Sequence, residues 1–244
     1  MAELDDTIED FLGPLARAKS DVELVNEFRS LARFYNLSHV ALFCVGITGR
    51  ADEAPSLAVT YSGEWIQHYV DENFANIDPV LSMGFNSMIP IDWRDIPTSG
   101  RKVKRMFGEA REFGIGRQGI TFSVKGRNAE RALFSINSDM KDWEWDSFLN
   151  GYLRLLQLYS FEAFETYLRI RGVERETVLL AKREIECLKW VSAGKTASEI
   201  ADILDLSERT VRFYLETARY KLKANTVAQA VANAIYTNQL TRSW

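Results

Sequence analysis

Apolar positions in this chain switch between helical and strand-like spacing. Leu24, Val25, Phe28, Leu31 and Ala32 recur three and four apart behind Ser20-Asp21-Val22-Glu23. That predicts an amphipathic helix opened by a capping box, in which a side-chain oxygen takes an early backbone N–H and the glutamate reaches back. After Asn36 the pattern changes. His39–Ile47 and Leu57–Tyr61 are rich in β-formers, and a connection containing Gly, Asp and Pro joins them, predicting two strands. Glu64–Phe74 reads as a helix, Ile89–Trp93 as a short strand near prolines, and Arg101–Phe113 as a helix stopped at Gly114. Gly119–Val124 and Arg131–Asn137 resemble a hairpin closed by Lys-Gly-Arg-Asn-Ala-Glu. Asp142–Arg169 is a long helix with Phe148, Tyr152, Leu155, Leu156, Tyr159 and Ala163 on one side. Residues 1–169 are therefore expected to form an α+β domain, with a sheet of about five antiparallel strands between helices, an α-β-α sandwich.

The remaining residues read as all helix. A short polar stretch, Arg171-Gly172-Val173-Glu174-Arg175-Glu176, marks a linker over residues 170–181, and 182–244 form the second domain. Lys182–Ala193 is a helix ended by Gly194, a natural C-terminal stop. Thr196-Ala197-Ser198-Glu199 is a second capping box opening another helix. Leu204–Leu206 make a turn, and Ser207 caps the next helix. There Val211, Leu215, Ala218 and Leu222 form one apolar stripe, and Arg212, Glu216, Arg219 and Lys223 a parallel charged one, with Arg209 at the front. A fourth helix begins at Thr226, with Val227, Ala230, Val231, Ala234 and Ile235 along one face.

Two capped helices joined by a tight turn, the second edged with cations, make a helix-turn-helix, which places one helix in the DNA major groove. A charged stripe on a lone helix is an ordinary solvated face. Here the turn before it and the core committed behind it favour double-stranded DNA as the partner. Arg at the front of such a helix can give paired hydrogen bonds to guanine, and Lys and Ser near the helix ends can hold phosphates. The candidate DNA contacts are Thr196, Ser207, Arg209, Thr210, Arg212, Glu216, Arg219, Lys221 and Lys223. Glu216 can pair with Arg212 or Arg219, or accept from cytosine N4.

Charge supports this division. From Lys182 onward 10 Lys and Arg stand against 7 Asp and Glu, a net of +3; the remainder carries 20 basic and 27 acidic residues, a net of −7. A basic module behind an acidic body suits nucleic-acid contact at one end. No apolar run reaches the roughly 18 residues of a membrane span, and the acidic start, Met-Ala-Glu-Leu-Asp-Asp, is unlike a signal peptide. The expected location is cytoplasmic. Cys44 and Cys187 lie far apart in apolar surroundings and read as buried free thiols rather than a disulfide or metal pair. No metal and no cofactor is expected.

Glu184, Leu188 and Gly194, followed by Thr210-Val-Arg-Phe-Tyr-Leu and Ala218-Arg-Tyr-Lys-Leu222, resemble the four-helix DNA-binding module of LuxR-type transcriptional regulators. The likeness covers about the last 65 residues. It implies framework roles for Glu184, Leu188 and Gly194, and base contact at Arg212. The chain departs from the family at Tyr214, where histidine is common, and at Glu216 and Thr217, where small polar residues are frequent.

Response regulators join the same module to a doubly wound receiver domain, but strands this sparse and paired in hairpins do not fit one. The second informative cluster is Trp65, Tyr69, Phe74, Ile77, Asp78, Pro79 and Val80, followed by Trp93. Taken singly, the aromatics are ordinary core fillers with a wet edge and Asp-Pro an ordinary turn. As a set, Trp65, Tyr69, Asp78, Pro79, Trp93 and Gly119 resemble the autoinducer-binding domain of the same family, over about residues 20–165. That resemblance implies an N-acyl-homoserine lactone ligand. It gives the ligand amide N–H to Asp78 and the lactone carbonyl to the Trp93 indole. Tyr61 and Ser135 approach the acyl carbonyl, Trp65 and Tyr69 pack around the ligand, and Leu42, Val80, Leu81 and Thr121 lie near its tail. A bacterial homodimer on a two-fold promoter element, associated with the nucleoid when bound, is the implied assembly. The alternative is a solo regulator answering to another small molecule or to none. A lactone-processing enzyme is a distant third, since only His39 and His68 exist and no Gly-x-Ser-x-Gly appears.

Overall fold

A computed structural model describes residues 2–47, 54–98, 100–128, 130–173 and 179–240, with side chains described from Asp10 onward. The chain divides into two compact units, one ending near Val173 and one following it. The Glu174–Glu176 part of the expected linker lies outside the described residues, as does much of the connection expected between the first two strands.

The first unit contains α1 (Ala2–Arg17), α2 (Asp21–Phe34), β1 (His39–Val45), β2 (Ser56–Val59), α3 (Gly63–Asp71), α4 (Pro79–Gly84), β3 (Ile91–Asp92), α5 (Arg101–Glu112), β4 (Gln118–Lys125), β5 (Arg131–Ser138) and α6 (Asp142–Ile170). The strands form one antiparallel sheet in the order β2-β1-β5-β4-β3. The five-stranded α+β reading is thus the observed fold.

Strand side chains alternate between two faces. One face carries Val40, Leu42 and Cys44 of β1, Ala58 of β2, Ile120, Phe122 and Val124 of β4, and Ala132, Phe134 and Ile136 of β5. They pack with Leu15, Leu24, Phe28, Leu31, Leu156, Tyr159 and Phe164 into the main core. Helices α1, α2 and α6 supply this packing layer. The other face looks toward α3, α4 and α5 and holds a separate cluster around Trp65, Phe74 and Met106.

Local chemistry sets the boundaries. Ser20 caps α2 by accepting from the Glu23 N–H, but Glu23 accepts from the Lys19 N–H rather than from Ser20 itself. The expected helix Glu64–Phe74 ends at Asp71, because Asn73 turns left-handed (φ 55°) and Phe74–Asn76 forms one 3₁₀ turn. Helix α5 stops before Gly114, whose φ of +82° favours glycine. Two helices lie outside the sequence reading, α1 and the six-residue α4. Cys44 and Cys187 are both buried and free.

The second unit contains α7 (Lys182–Ser192), α8 (Ala197–Leu204), α9 (Glu208–Lys221) and α10 (Val227–Tyr236). Its core joins Cys187, Leu188, Ile200, Val211, Leu215, Ala218, Leu222, Ala230 and Ala234. Thr196 and Glu199 complete a capping box at α8, the left-handed Asp205 ends that helix, and Ser207 accepts from the Thr210 N–H to start α9. No helix among the described residues is long and apolar enough to cross a membrane.

Candidate functional site

Between the sheet and helices α3, α4 and α5 lies a cavity of about 140 Å³. Ala41, Phe43, Leu57, Val59, Leu133 and Ser135 line it from the strands. Trp65, Ile66, Tyr69 and Val70 come from α3, Val80 and Leu81 from α4, and Met106, Phe107 and Ala110 from α5; Tyr61, Asp78, Trp93 and Ile115 complete the wall.

Polar groups are few. Asp78 caps α4: its Oδ1 accepts from the Val80 N–H at 2.7 Å, and its Oδ2 accepts from the Tyr69 hydroxyl at 2.7 Å. Burial raises the Asp78 carboxyl pKa above its usual value, while the bonds from Tyr69 and from the Val80 and Leu81 backbone oppose the rise. Burial and the nearby Asp78 push the Tyr61 and Tyr69 hydroxyls up, so both stay protonated and able to donate. The Asn137 amide reaches the Tyr61 oxygen at 3.4 Å, and its own oxygen accepts from the Gly116 N–H. The Trp93 indole N–H donates to Thr121 Oγ1 at 2.9 Å, and that hydroxyl shares a 2.8 Å bond with Ser135 Oγ. The sheet positions this row, since Thr121 and Ser135 are direct cross-strand partners.

Eight of the ten ligand-site residues expected from sequence line the cavity: Tyr61, Trp65, Tyr69, Val80, Leu81, Asp78, Trp93 and Ser135. Leu42 does not. It is fully buried on the opposite sheet face, between Ala58 and Phe134. The side chains that face the cavity from β1 are those of its neighbours Ala41 and Phe43, so the expected residue was one place out of register. Thr121 stands behind Trp93 and Ser135 rather than on the wall. Met106, Ala110 and Phe107 of α5 went unread. The i, i+4 pairing of Met106 with Ala110 was the available signal, and both are buried.

In the second unit, α9 carries exposed Arg209 and Arg212. Arg212 pairs with Glu208 one turn back, at 2.5 Å, and Glu216 pairs with Arg219 at 2.8 Å. Of the partners open to it, Glu216 pairs with Arg219, which also donates to the Ala224 carbonyl. Ser207, Thr210 and Thr196 are engaged in capping, with Ser207 Oγ and Thr210 Oγ1 at 2.7 Å. Lys221 is committed elsewhere: its ammonium donates to both oxygens of Glu184 at 2.8 and 2.9 Å. Glu184, only 4% exposed along its side chain, also accepts from the Ala181 N–H. The pair ties the start of α7 to the end of α9. Lys223 lies past the helix end with a left-handed backbone.

A mostly apolar cavity with a carboxylate and hydroxyls on its wall, in a chain that also carries a helix-turn-helix, defines a ligand-responsive DNA-binding regulator. Residues 20–167 match the family described as "Autoinducer binding domain", and residues 178–234 that described as "Bacterial regulatory proteins, luxR family". The chain belongs to the LuxR family of autoinducer-binding transcriptional regulators, whose members act in quorum sensing. It is 32% identical to the transcriptional activator protein RaiR of Rhizobium etli, over 75% of this chain and 76% of that protein. It is 30% identical to the quorum sensing-dependent transcriptional regulator RpaR of Rhodopseudomonas palustris, over 87% and 86%. The fold is shared with Escherichia coli SdiA (TM-score 0.70, 24% identity, 97% and 99% coverage) and with CepR2 of Burkholderia cenocepacia (TM-score 0.55, 20% identity, 70% and 99% coverage).

Proposed function

We propose that the cavity takes an N-acyl-homoserine lactone and that the chain, as a homodimer, presents two α9 helices to a two-fold promoter element. The observation that carries the ligand is the composition of the cavity wall. One carboxylate, Asp78, can accept; the Trp93 indole, Tyr61 and Ser135 can donate; the remaining wall is almost wholly apolar. An acyl-homoserine lactone offers a matching set: an amide N–H, two carbonyls and a fatty tail. Asp78 accepts the amide N–H in a charge-assisted bond. The Trp93 N–H turns from Thr121 to the lactone carbonyl, and Tyr61 and Ser135 approach the acyl carbonyl. Trp65 and Tyr69 enclose the head group, and Val80, Leu81, Leu57 and Val59 the tail.

Binding buries the ligand and stabilises the folded state by linkage. The exposed Leu158 and Phe161 on α6 and Ile235 on α10 offer apolar surface for pairing two copies. With two-fold symmetry, paired recognition helices meet half-sites one helical turn of DNA apart or a multiple of it. Arg209 and Arg212 then reach base edges, with Glu216 released from Arg219 or held by it. Ser207, Thr210, Thr196, Arg219 and Lys223 lie at phosphates. The proposed units are residues 1–169 for ligand and pairing, 170–181 as linker and 182–244 for DNA, working in the bacterial cytoplasm.

CepR2 is described as N-acylhomoserine lactone dependent, and SdiA has also been solved in complex with octanoyl-rac-glycerol. The SdiA complex favours one alternative here, an acylated ligand with a different polar head. Solvent extraction of the purified protein, read by mass spectrometry, separates the two. A thermal-shift series of acyl-homoserine lactones of increasing chain length then tests the assignment. At least one is expected to raise the unfolding temperature of the native protein and not of Asp78→Asn. A series that stabilises neither overturns the lactone.

A further inference from the structure

Two large apolar side chains on α9 face solvent. Phe213 is 65% exposed and Tyr220 83%. They stand seven residues apart, so they share one face, about 10 Å apart along the axis. That face is opposite the buried line of Val211, Leu215 and Ala218. Exposed apolar residues scattered singly need no explanation; these two stand in line on the outer face of the helix that the fold presents as its reading helix.

Phe213 lies in the front half of α9, the part that meets base edges in a helix-turn-helix. On the helix surface its neighbours are Arg209 four residues before and Glu216 three residues on, both exposed, and its ring stands edge-on to that of Tyr214 at 5.9 Å. A phenyl ring with Arg209 one turn before it on the same face suits a surface lined with phosphates and base edges. Glu208 and Glu216 hold Arg212 and Arg219 along the helix, and the Phe213 ring stays 65% exposed. The base edges of the major groove present one apolar group, the thymine 5-methyl.

We propose that Phe213 is a specificity-determining residue that packs on the 5-methyl group of a thymine in the operator. The proposal rests on α9 being the reading helix. It adds an apolar contact to a code otherwise carried by Arg209, Arg212 and Glu216. Its consequence is a preference for thymine, or a methylated cytosine, at one position in each half-site.

The test uses the full-length protein, with the acyl-homoserine lactone series present, to select a duplex from a random-sequence pool. Each thymine of that duplex is then replaced by deoxyuridine, which removes the methyl group and keeps the base pairing. Binding is expected to weaken about fourfold at one position per half-site, the worth of one buried methyl group. Phe213→Ala is expected to bind the thymine and uracil duplexes equally at that position, and Phe213→Leu to keep part of the discrimination. The side chain is exposed and outside the core, and circular dichroism of both variants verifies the fold. Uracil penalties that are the same for native protein and Phe213→Ala at every position overturn the proposal, and leave the exposed ring as a contact for another protein. Failure to enrich any sequence is a separate result, which overturns the DNA-reading role of α9 itself.

Discussion

The indole of Trp93 lies directly against the bare Cα of Gly119. A methyl group on Gly119 would sit 2.2 Å from indole Cδ2 and 2.3 Å from Cε3, far inside contact distance. Glycine at this point of β4 therefore sets the depth of Trp93, and with it the aim of the indole N–H at Thr121. We expect Gly119→Ala to push Trp93 outward and to weaken ligand binding at least tenfold while the sheet core, built on the other face, persists. Titration followed by tryptophan fluorescence, with far-ultraviolet circular dichroism alongside, checks both halves of the expectation.

Asp78 is expected to link ligand affinity to pH. Its carboxyl pKa is raised by burial, so the folded protein holds this proton more tightly than the unfolded chain does. The stability from that proton is full below the unfolded pKa and is lost as pH rises through the raised folded value. Ligand binding runs the other way, because a charged acceptor takes the amide N–H. Lactone affinity is expected to fall as pH drops through the raised Asp78 pKa, and Asp78→Asn is expected to bind weakly with a flat pH profile. Isothermal titration at several pH values decides it. A native profile as flat as that of the variant would sink the charged role.

Leu42 and Phe43 separate core from cavity. Leu42 is wholly buried in the main core, so Leu42→Ala is expected to cost about 2–5 kcal/mol of stability, with ligand affinity changed only through unfolding. Phe43 lines the cavity, so Phe43→Ala is expected to weaken lactone binding at a smaller cost in stability. Chemical denaturation and titration of the two variants make the comparison.

The lysines and arginines of the DNA-binding unit fall into two kinds. Glu184→Ala strands the Lys221 ammonium, which is 36% exposed along its side chain, so a loss of about 1–3 kcal/mol is expected. Lys221→Met should also destabilise the unit, but leave the slope of log affinity against log salt nearly unchanged. Arg209→Ala should do the reverse, lowering that slope by about one if Arg209 meets a phosphate, or relaxing preference at one base pair if it meets a base. For Arg212→Ala the expectation is a loss of roughly 1–3 kcal/mol in affinity, confined to one base-pair position. Gel-shift titrations across salt and sequence distinguish these outcomes.

The parts of the molecule legible in sequence are those where one face is buried and the other wet. On α9 the line Val211, Leu215, Ala218, Leu222 is buried and Arg209, Arg212 and Glu216 are exposed, so periodicity alone gave the geometry. Strand β1 is the opposite case. In His-Val-Ala-Leu-Phe-Cys-Val both faces carry apolar residues, one against the core and one against the cavity. Without alternation, nothing in the pattern says which face Leu42 takes. Helix α4 is too short for a period to show, and nothing in the pattern marks Asp78, a ligand candidate before a proline, as its cap. Helix α1 carries Pro14 within it, which breaks the pattern a helix search relies on. Glu216 had partners three and four residues away, and only coordinates choose between them.

The hydroxyl row behind the cavity has a consequence for selectivity. Trp93 does not wait for a ligand with its N–H unpaired: Thr121 already accepts it, and Ser135 completes the row. A binding site rejects an imperfect molecule most strongly when that molecule strands a buried polar group. Here a ligand lacking the matching carbonyl strands nothing at Trp93, because the indole keeps its resting partner. If the proposed acylated ligand is right, this end of the cavity is expected to tolerate variation, and discrimination is expected to fall to Asp78 and to the length of tail the apolar wall can cover.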